Sequence, residues 1–220
     1  MKTYSVTITG KTPLLMHHDN IEWADFMEEW KNNPESKKTS KAGDDRSPAW
    51  RWLGCVYHDG KLLAIPQANI MKCLMEGGAM VPVPGGKNGK TFKSQTQSGM
   101  MSVSPFWTLI VNGEPIQWAD AERLKDEQKF AEHKAAARAL GFELLVKRAA
   151  VGSSKHVRVR PQFAAGWQAV GEIAVWDEQI TDQALHDIFE YAGQYKGIGD
   201  WRPGAPKKPG PYGTFSAEIR

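Results

Sequence analysis

GWQAVGEIAVWDEQITDQALHDIFEYAGQYK (166–196) followed by GIGDWRPGAPKKPGPYGTFSAEIR (197–220) is the stretch that decides the fold. Trp167, Ala169, Gly171, Ile173 and Val175 alternate with polar neighbours, the two-residue period of a half-buried strand. Ile180-Thr181-Asp182 then leads into a helix predicted over 182–195. Leu185, Ile188, Phe189 and Ala192 fall on its inner face, and Thr181 is placed to accept from the orphan amides of its first turn. The glycines and prolines of 197–213 exclude regular structure, and the closing YGTFSAEIR alternates again as a strand.

The same reading works outward. Residues 2–9, KTYSVTIT, place Tyr4, Val6 and Ile8 on one face and threonines and Ser5 on the other, a first strand ending before Pro13. Ile21, Trp23, Phe26, Met27 and Trp30 have helical spacing over 20–31, and 32–48 is polar enough for a mobile loop. Trp50–Tyr57 and Lys61–Ile65 read as a hairpin turning at His58-Asp59-Gly60. Pro66 opens a helix reaching about Glu76, with Ile70, Cys73 and Leu74 on one face. Residues 77–99 read as a long flexible loop, 102–111 as a strand, and 119–140 as helix-forming or as a surface excursion, with Asp120 a candidate cap. Strands are predicted at 142–151 and 157–161. Stripped of insertions, the order is βαββαβ: an α+β chain with a ferredoxin-like (RRM-like) core, a helical insertion and an inserted hairpin. One domain spans 1–220, with insertions at about 19–60 and 77–140.

Composition narrows the function. No apolar run is long enough for a membrane span, the alternating N-terminus lacks a signal-peptide core, and two cysteines cannot build a disulfide framework or a four-cysteine zinc site. No metal site and no cofactor is expected. The net charge of +3 conceals an uneven distribution. Eight acids lie between Asp19 and Asp45, whereas 77–113 and 144–171 contain none. The first window carries Lys87, Lys90 and Lys93; the second carries Lys147, Arg148, Lys155, Arg158 and Arg160. If the windows meet, they form a positive surface stronger than the total suggests.

Four constellations are candidates for chemistry. In the glycine-rich segment, backbone amides and Arg202 suit an anion, and Trp201 beside Arg202 is an aromatic–cation pair; Lys207 and Lys208 flank it. It lacks the GxxxxGK[ST] pattern of a P-loop. Lys147-Arg148 to Arg160, turning at Gly152-Ser153-Ser154, reads as a basic hairpin, with Arg158 and Arg160 on one strand face able to meet successive phosphates. His17-His18 ends the first strand element and could supply acid–base chemistry, with no partner assignable from sequence. The nine tryptophans, Trp50 and Trp52 among them as a same-face strand pair, divide between core anchors and base-stacking surfaces, with at least five expected in the core.

VTITGKTPLLMHH at one end and GIGDWRPGAPKKPGPYGTFSAEI at the other resemble a group of phage and prophage proteins that begin with a strand running into TPLLMH and end with GDWRP and a GxF strand. More distantly, a helix, a glycine-rich loop and a terminal GxF strand resemble the RAMP superfamily of CRISPR effector backbone and RNA-processing subunits. That resemblance implies single-stranded nucleic-acid binding in helical arrays. Lys147–Arg160 would be the inserted thumb and Gly197–Gly213 the glycine-rich loop. The expectation is therefore a non-enzymatic binder of single-stranded DNA or RNA, of phage or mobile-element origin, acting in a bacterial cytoplasm as a homo-oligomer or filament. Lys147, Arg148, Lys155, Arg158, Arg160, Arg202, Lys207 and Lys208 would neutralise phosphates and Trp201 would stack a base. Two alternatives stand beside it: a metal-independent endoribonuclease using His17 or His18, and an interaction protein that binds a host protein or small anion through Gly199–Lys208.

Overall fold

The computed structural model describes residues 1–151 and 154–220. It is a mixed α+β protein built on two antiparallel sheets. In chain order the elements begin with β1 (Lys2–Gly10), β2 (Leu14–Leu15), α1 (Ile21–Asn32), α2 (Pro34–Thr39), a 3-10 turn (Ala49–Cys55), β3 (Ala64–Pro66) and α3 (Gln67–Gly78). Then come α4 (Lys93–Ser98), β4 (Met100–Ser102), β5 (Phe106–Val111), β6 (Glu114–Pro115), α5 (Trp118–Glu122), a second 3-10 turn (Arg123–Asp126) and α6 (Phe130–Ala139). The chain finishes with β7 (Glu143–Val151), β8 (Ser154–Phe163), β9 (Gln168–Val175), α7 (Asp182–Tyr191), a π-helical turn (Ala192–Lys196) and β10 (Phe215–Ile219).

The large sheet runs β10-β1-β9-β5-β3, with β4 added to β9 and β6 to β5. Alternation along β1 buries Val6 and Ile8, and their register partners on β9 are the small residues Gly171 and Ala169. Gly171 has a packing reason: the Trp107 indole lies where a Cβ would stand, so only glycine lets this ring cover β9. The Trp107 ring nitrogen donates to Ser102 Oγ at 2.8 Å, which satisfies its one polar atom in the core. Helices α3 and α7 pack against each other. The Thr181 hydroxyl caps α7 by accepting from the Ala184 amide at 3.2 Å, and Leu185, Ile188 and Phe189 are buried. The π-helical turn then brings Ala192 against Gly77 of α3 and Gly193 against Phe215 of β10.

The smaller sheet is β2-β8-β7. The β7–β8 hairpin pairs from Glu143↔Gln162 to Val151↔Ser154, as the alternation predicts; Gly152 and Ser153 of its expected tip lie outside the described residues. Residues 43–45 run along the other side of β8, with the Val157 amide donating to Gly43 and the Asp45 amide donating to Val157.

Several local expectations are corrected. Trp50–Tyr57 is not a strand. It is mostly the 3-10 turn, so Trp50 and Trp52 do not form a same-face pair but bury separately. What remains of the hairpin is a His58↔Leu63 bridge around a turn held by the Asp59 carboxylate. The 32–48 loop contains α2, and 77–99 contains α4 and a Pro82↔Thr91 bridge. Segment 119–140 breaks into two short helices and a 3-10 turn, and Asp120 sits in the first turn of α5 rather than capping it. Helix α1, capped by Asn20, buries Met27 but leaves Ile21 and Phe26 exposed despite their apolar spacing. Trp50, Trp52, Trp107, Trp118 and Trp167 are buried, which accounts for five of the nine.

Trp52 illustrates how a buried tryptophan enlists a titratable partner. Its indole N–H donates to Nδ1 of the fully buried His133 at 3.0 Å, and His133 Nε2 donates to the Glu127 carbonyl at 2.9 Å. Both contacts together require the neutral ring, and burial lowers its pKa. The unfolded chain takes up this proton near pH 6.5 and the folded chain at lower pH. The stability His133 contributes is therefore complete above pH 6.5 and is lost as pH falls below it. His17 and His58 shift in the same direction. Melting temperature is expected to fall between pH 7.5 and 5.5, and to fall less in His133→Asn; an unchanged pH dependence in that variant would remove His133 from the account.

Candidate nucleic-acid interface

The two ends of the chain, far apart in sequence, build the floor of the site together. The Gly213 amide donates to the Pro13 carbonyl at 2.8 Å, the Asp200 amide to Leu15 at 2.8 Å, and the Thr214 hydroxyl to that of Thr12 at 2.9 Å. Gly199 is in the left-handed region, and a side chain there would strike the Leu15 carbonyl, so glycine is what lets the two segments approach. This reassigns much of the expected anion nest. The amides of Gly197, Ile198, Asp200, Gly204, Gly210 and Gly213 all donate to carbonyls of the protein itself, and the Trp201 amide donates to its neighbour's carboxylate.

Arg202 is similarly engaged. Its guanidinium meets both oxygens of Glu76 on α3, at 2.8 and 3.2 Å, and the Lys196 carbonyl at 3.2 Å. This bidentate pair fastens the loop to α3 and occupies the donors that a phosphate would need. Trp201 packs its ring beside Tyr212, with centroids 5.4 Å apart. The Lys147 ammonium of β7 stands 3.3 Å from the centre of the Trp201 ring, so a cation–π contact ties the hairpin down onto the loop.

Between hairpin and loop lies a cavity of about 630 Å³, walled by Leu15, Leu145, Lys147, Arg148, Trp201 and Lys208, with Arg158, Arg160, His17 and Asp200 at its inner end. The structure thus brings Lys147, Arg148, Arg158, Arg160, Trp201 and Lys208 together. Lys155 is exposed farther along β8, and Lys207 is exposed beside Lys208. Arg202 is not among the residues lining the cavity, and neither are Lys87, Lys90 and Lys93, so the two acid-free windows do not share this wall.

The acidic insertion reaches the same place, which sequence reasoning missed. Asp45, 4% exposed, is within 3.1 Å of both Arg51 and Arg158 and 3.4 Å of Arg160, and accepts from the Val159 amide. Arg160, 12% exposed, also donates to Asp200 at 3.2 Å and to the Val159 carbonyl at 2.8 Å. Arg158 and Arg160 do share a strand face, but each already faces an internal carboxylate. Among the described residues, no carboxylate pairs with Lys147, Arg148, Lys155, Lys207 or Lys208. The signal that could have found Asp45 is its position at the end of an acid-rich segment next to a proline-containing turn, but nothing local ties it to β8.

His17 Nε2 lies 3.1 Å from the Arg160 guanidinium and Nδ1 3.7 Å from Asp200. Arg160 can only donate, so Nε2 accepts and the proton sits on Nδ1, toward Asp200. Burial, and then Arg160, lower the pKa of this ring and keep it neutral near pH 7. His18 packs against Tyr57 with centroids 5.0 Å apart and ring planes tilted by 32°, and its Nδ1 has no partner among the described residues. Cys55 Sγ is 3.7 Å from Arg160, and burial pushes its thiol pKa up, which makes it a poor nucleophile. No helix of the described residues is long and apolar enough to cross a membrane. No protein-family model matches the chain, and the curated proteins include no match to it.

Proposed function

We propose that this protein binds single-stranded nucleic acid in the cavity between the β7–β8 hairpin and the glycine-rich loop. The observation that carries the reading is the convergence there of exposed Lys147, Arg148 and Lys208, none paired with a carboxylate among the described residues, with the Trp201 ring. Cations along a groove track a phosphate backbone, and an aromatic face stacks any base. In the unbound protein Lys147 covers Trp201. An incoming base takes the place of the ammonium, which is then released toward a phosphate. Arg202 enters this reading as the anchor of the loop, and Arg158 and Arg160 as supports of the cavity's inner end.

The finer fold reading belongs to the same proposal. β1, α3, β5, β9, α7 and β10 read as a ferredoxin-like βαββαβ unit, supported by the antiparallel strand order β10-β1-β9-β5. The RAMP-type resemblance, with the hairpin as thumb and assembly of copies along the strand, rests on that order and on the hairpin meeting the loop. The test is fluorescence anisotropy with a labelled 30-nucleotide strand at low salt. Reversing two exposed cations, in Arg148→Glu/Lys208→Glu, is expected to weaken binding at least about ten-fold with the melting temperature little changed. Undiminished binding would move the interface elsewhere.

A further inference from the structure

A second cavity, of about 250 Å³, adjoins the first beneath α1. The two share His17, Arg158 and Arg160 as a common wall. The far side of the second cavity is aromatic and apolar: Trp23 and Trp50, with ring centroids 5.6 Å apart, and Met27. His18, whose Nδ1 has no partner among the described residues, and Asn20 add polar edges. Seven lysines and arginines line the two cavities against three carboxylates, Asp19, Asp45 and Asp200. The result is a trough with an aromatic surface at each end and a cationic ridge between.

We infer that this trough is a two-base site: one base stacks at Trp201, the bridging phosphate lies over the Arg158–His17 ridge, and the next base enters the cavity beside Trp23. The inference rests on the nucleic-acid reading and adds to it a subsite whose aromatic wall, Trp23 and Trp50, lies outside the basic hairpin. Two features support it. A planar, partly polar ring matches a small cavity with tryptophan walls and polar edges. The ridge holds more arginine than carboxylate: Arg51, Arg158 and Arg160 face Asp45, and Arg160 also faces Asp200.

The test compares a 12-nucleotide thymidine strand with a strand of equal length in which every base is removed and every phosphate kept. Wild-type protein is expected to bind the full strand roughly ten-fold or more tightly, the effect of base stacking. Ala24 is exposed at the mouth of the second cavity, and Ala24→Gln fills the mouth without removing core. It is expected to lose about half of that preference on a logarithmic scale, as is Trp201→Ala, with the abasic strand bound as before. Equal binding of both strands by wild type would overturn the two-base site and leave backbone binding intact. A full preference retained in Ala24→Gln would also overturn it. Failure to bind either strand would instead overturn the nucleic-acid reading. If Ala24→Gln does not melt like wild type, Ala24→Met, uncharged and of similar length, serves in its place with the same loss expected.

Discussion

Asp45→Asn is expected to cost about 3 kcal/mol of stability while tightening the grip on polyanions. The Asp45 carboxylate lies among Arg51, Arg158 and Arg160 and is nearly inaccessible to water. Taking one partner from a buried charge cluster leaves the others desolvated and mutually repelling, a loss of about 3–5 kcal/mol when the pair is fully buried. The three arginines here are partly exposed, which places the effect at the lower end. The same change frees guanidiniums beside the cavity, so binding of a 30-nucleotide strand at 50 mM salt should strengthen several-fold at a temperature where the variant is folded. Urea titration and anisotropy measure the two effects. A variant as stable as wild type would show that Asp45 does not organise the arginines, and weaker binding would show that they face away from the ligand.

Gly213→Ala is expected to be at least as damaging, about 3 kcal/mol or more. Its φ of +72° lies in the left-handed region, and an added Cβ would collide with the Ile198 carbonyl. The backbone cannot move aside. The Gly213 amide is tied to Pro13, and its carbonyl accepts from the Ile198 amide at 2.9 Å. Strain and collision therefore add, and relief requires parting the glycine-rich loop from the first strand segment, which dismantles the cavity floor. Gly85→Ala is the control. Its φ is also positive, at +71°, but a Cβ there meets open space, so only the conformational cost of about 1 kcal/mol remains. Equal losses in the two variants, measured by urea unfolding, would contradict the claim that Gly213 is required by close approach.

The regular elements of the chain were legible where one period dominated. β1, β9, α7 and the β7–β8 hairpin emerge from alternation, helical spacing and the Thr181 cap because each buries one face against one core. The reading failed where burial followed no period. Around Trp50 and Trp52 two large rings at i and i+2 imitate a strand, yet the segment turns tightly and sends each ring into a different part of the core. In α1 the apolar spacing was real, but α1 packs on the core through Trp23, Met27 and Trp30, leaving Ile21 and Phe26 outside. For the site, sequence supplied most of the participants and few of the partnerships. The basic face of the hairpin and Trp201 were visible as residue types. That Arg202 would be held by Glu76, Arg158 and Arg160 by Asp45, and Trp201 by Lys147 depends on long-range contacts with no local signature.

Salt dependence of binding tests the central claim most directly. Five cations, Lys147, Arg148, Lys155, Lys207 and Lys208, have no carboxylate partner among the described residues and lie on the hairpin or the loop. If all five meet phosphates of a single strand, log K should fall against log salt with a slope of about −3 to −4, a loss of roughly a hundred-fold between 50 and 200 mM. The measurement is an anisotropy titration of a labelled 30-nucleotide strand across that range. A slope near that value is the predicted result; absence of binding at 50 mM, or binding indifferent to salt, would contradict it.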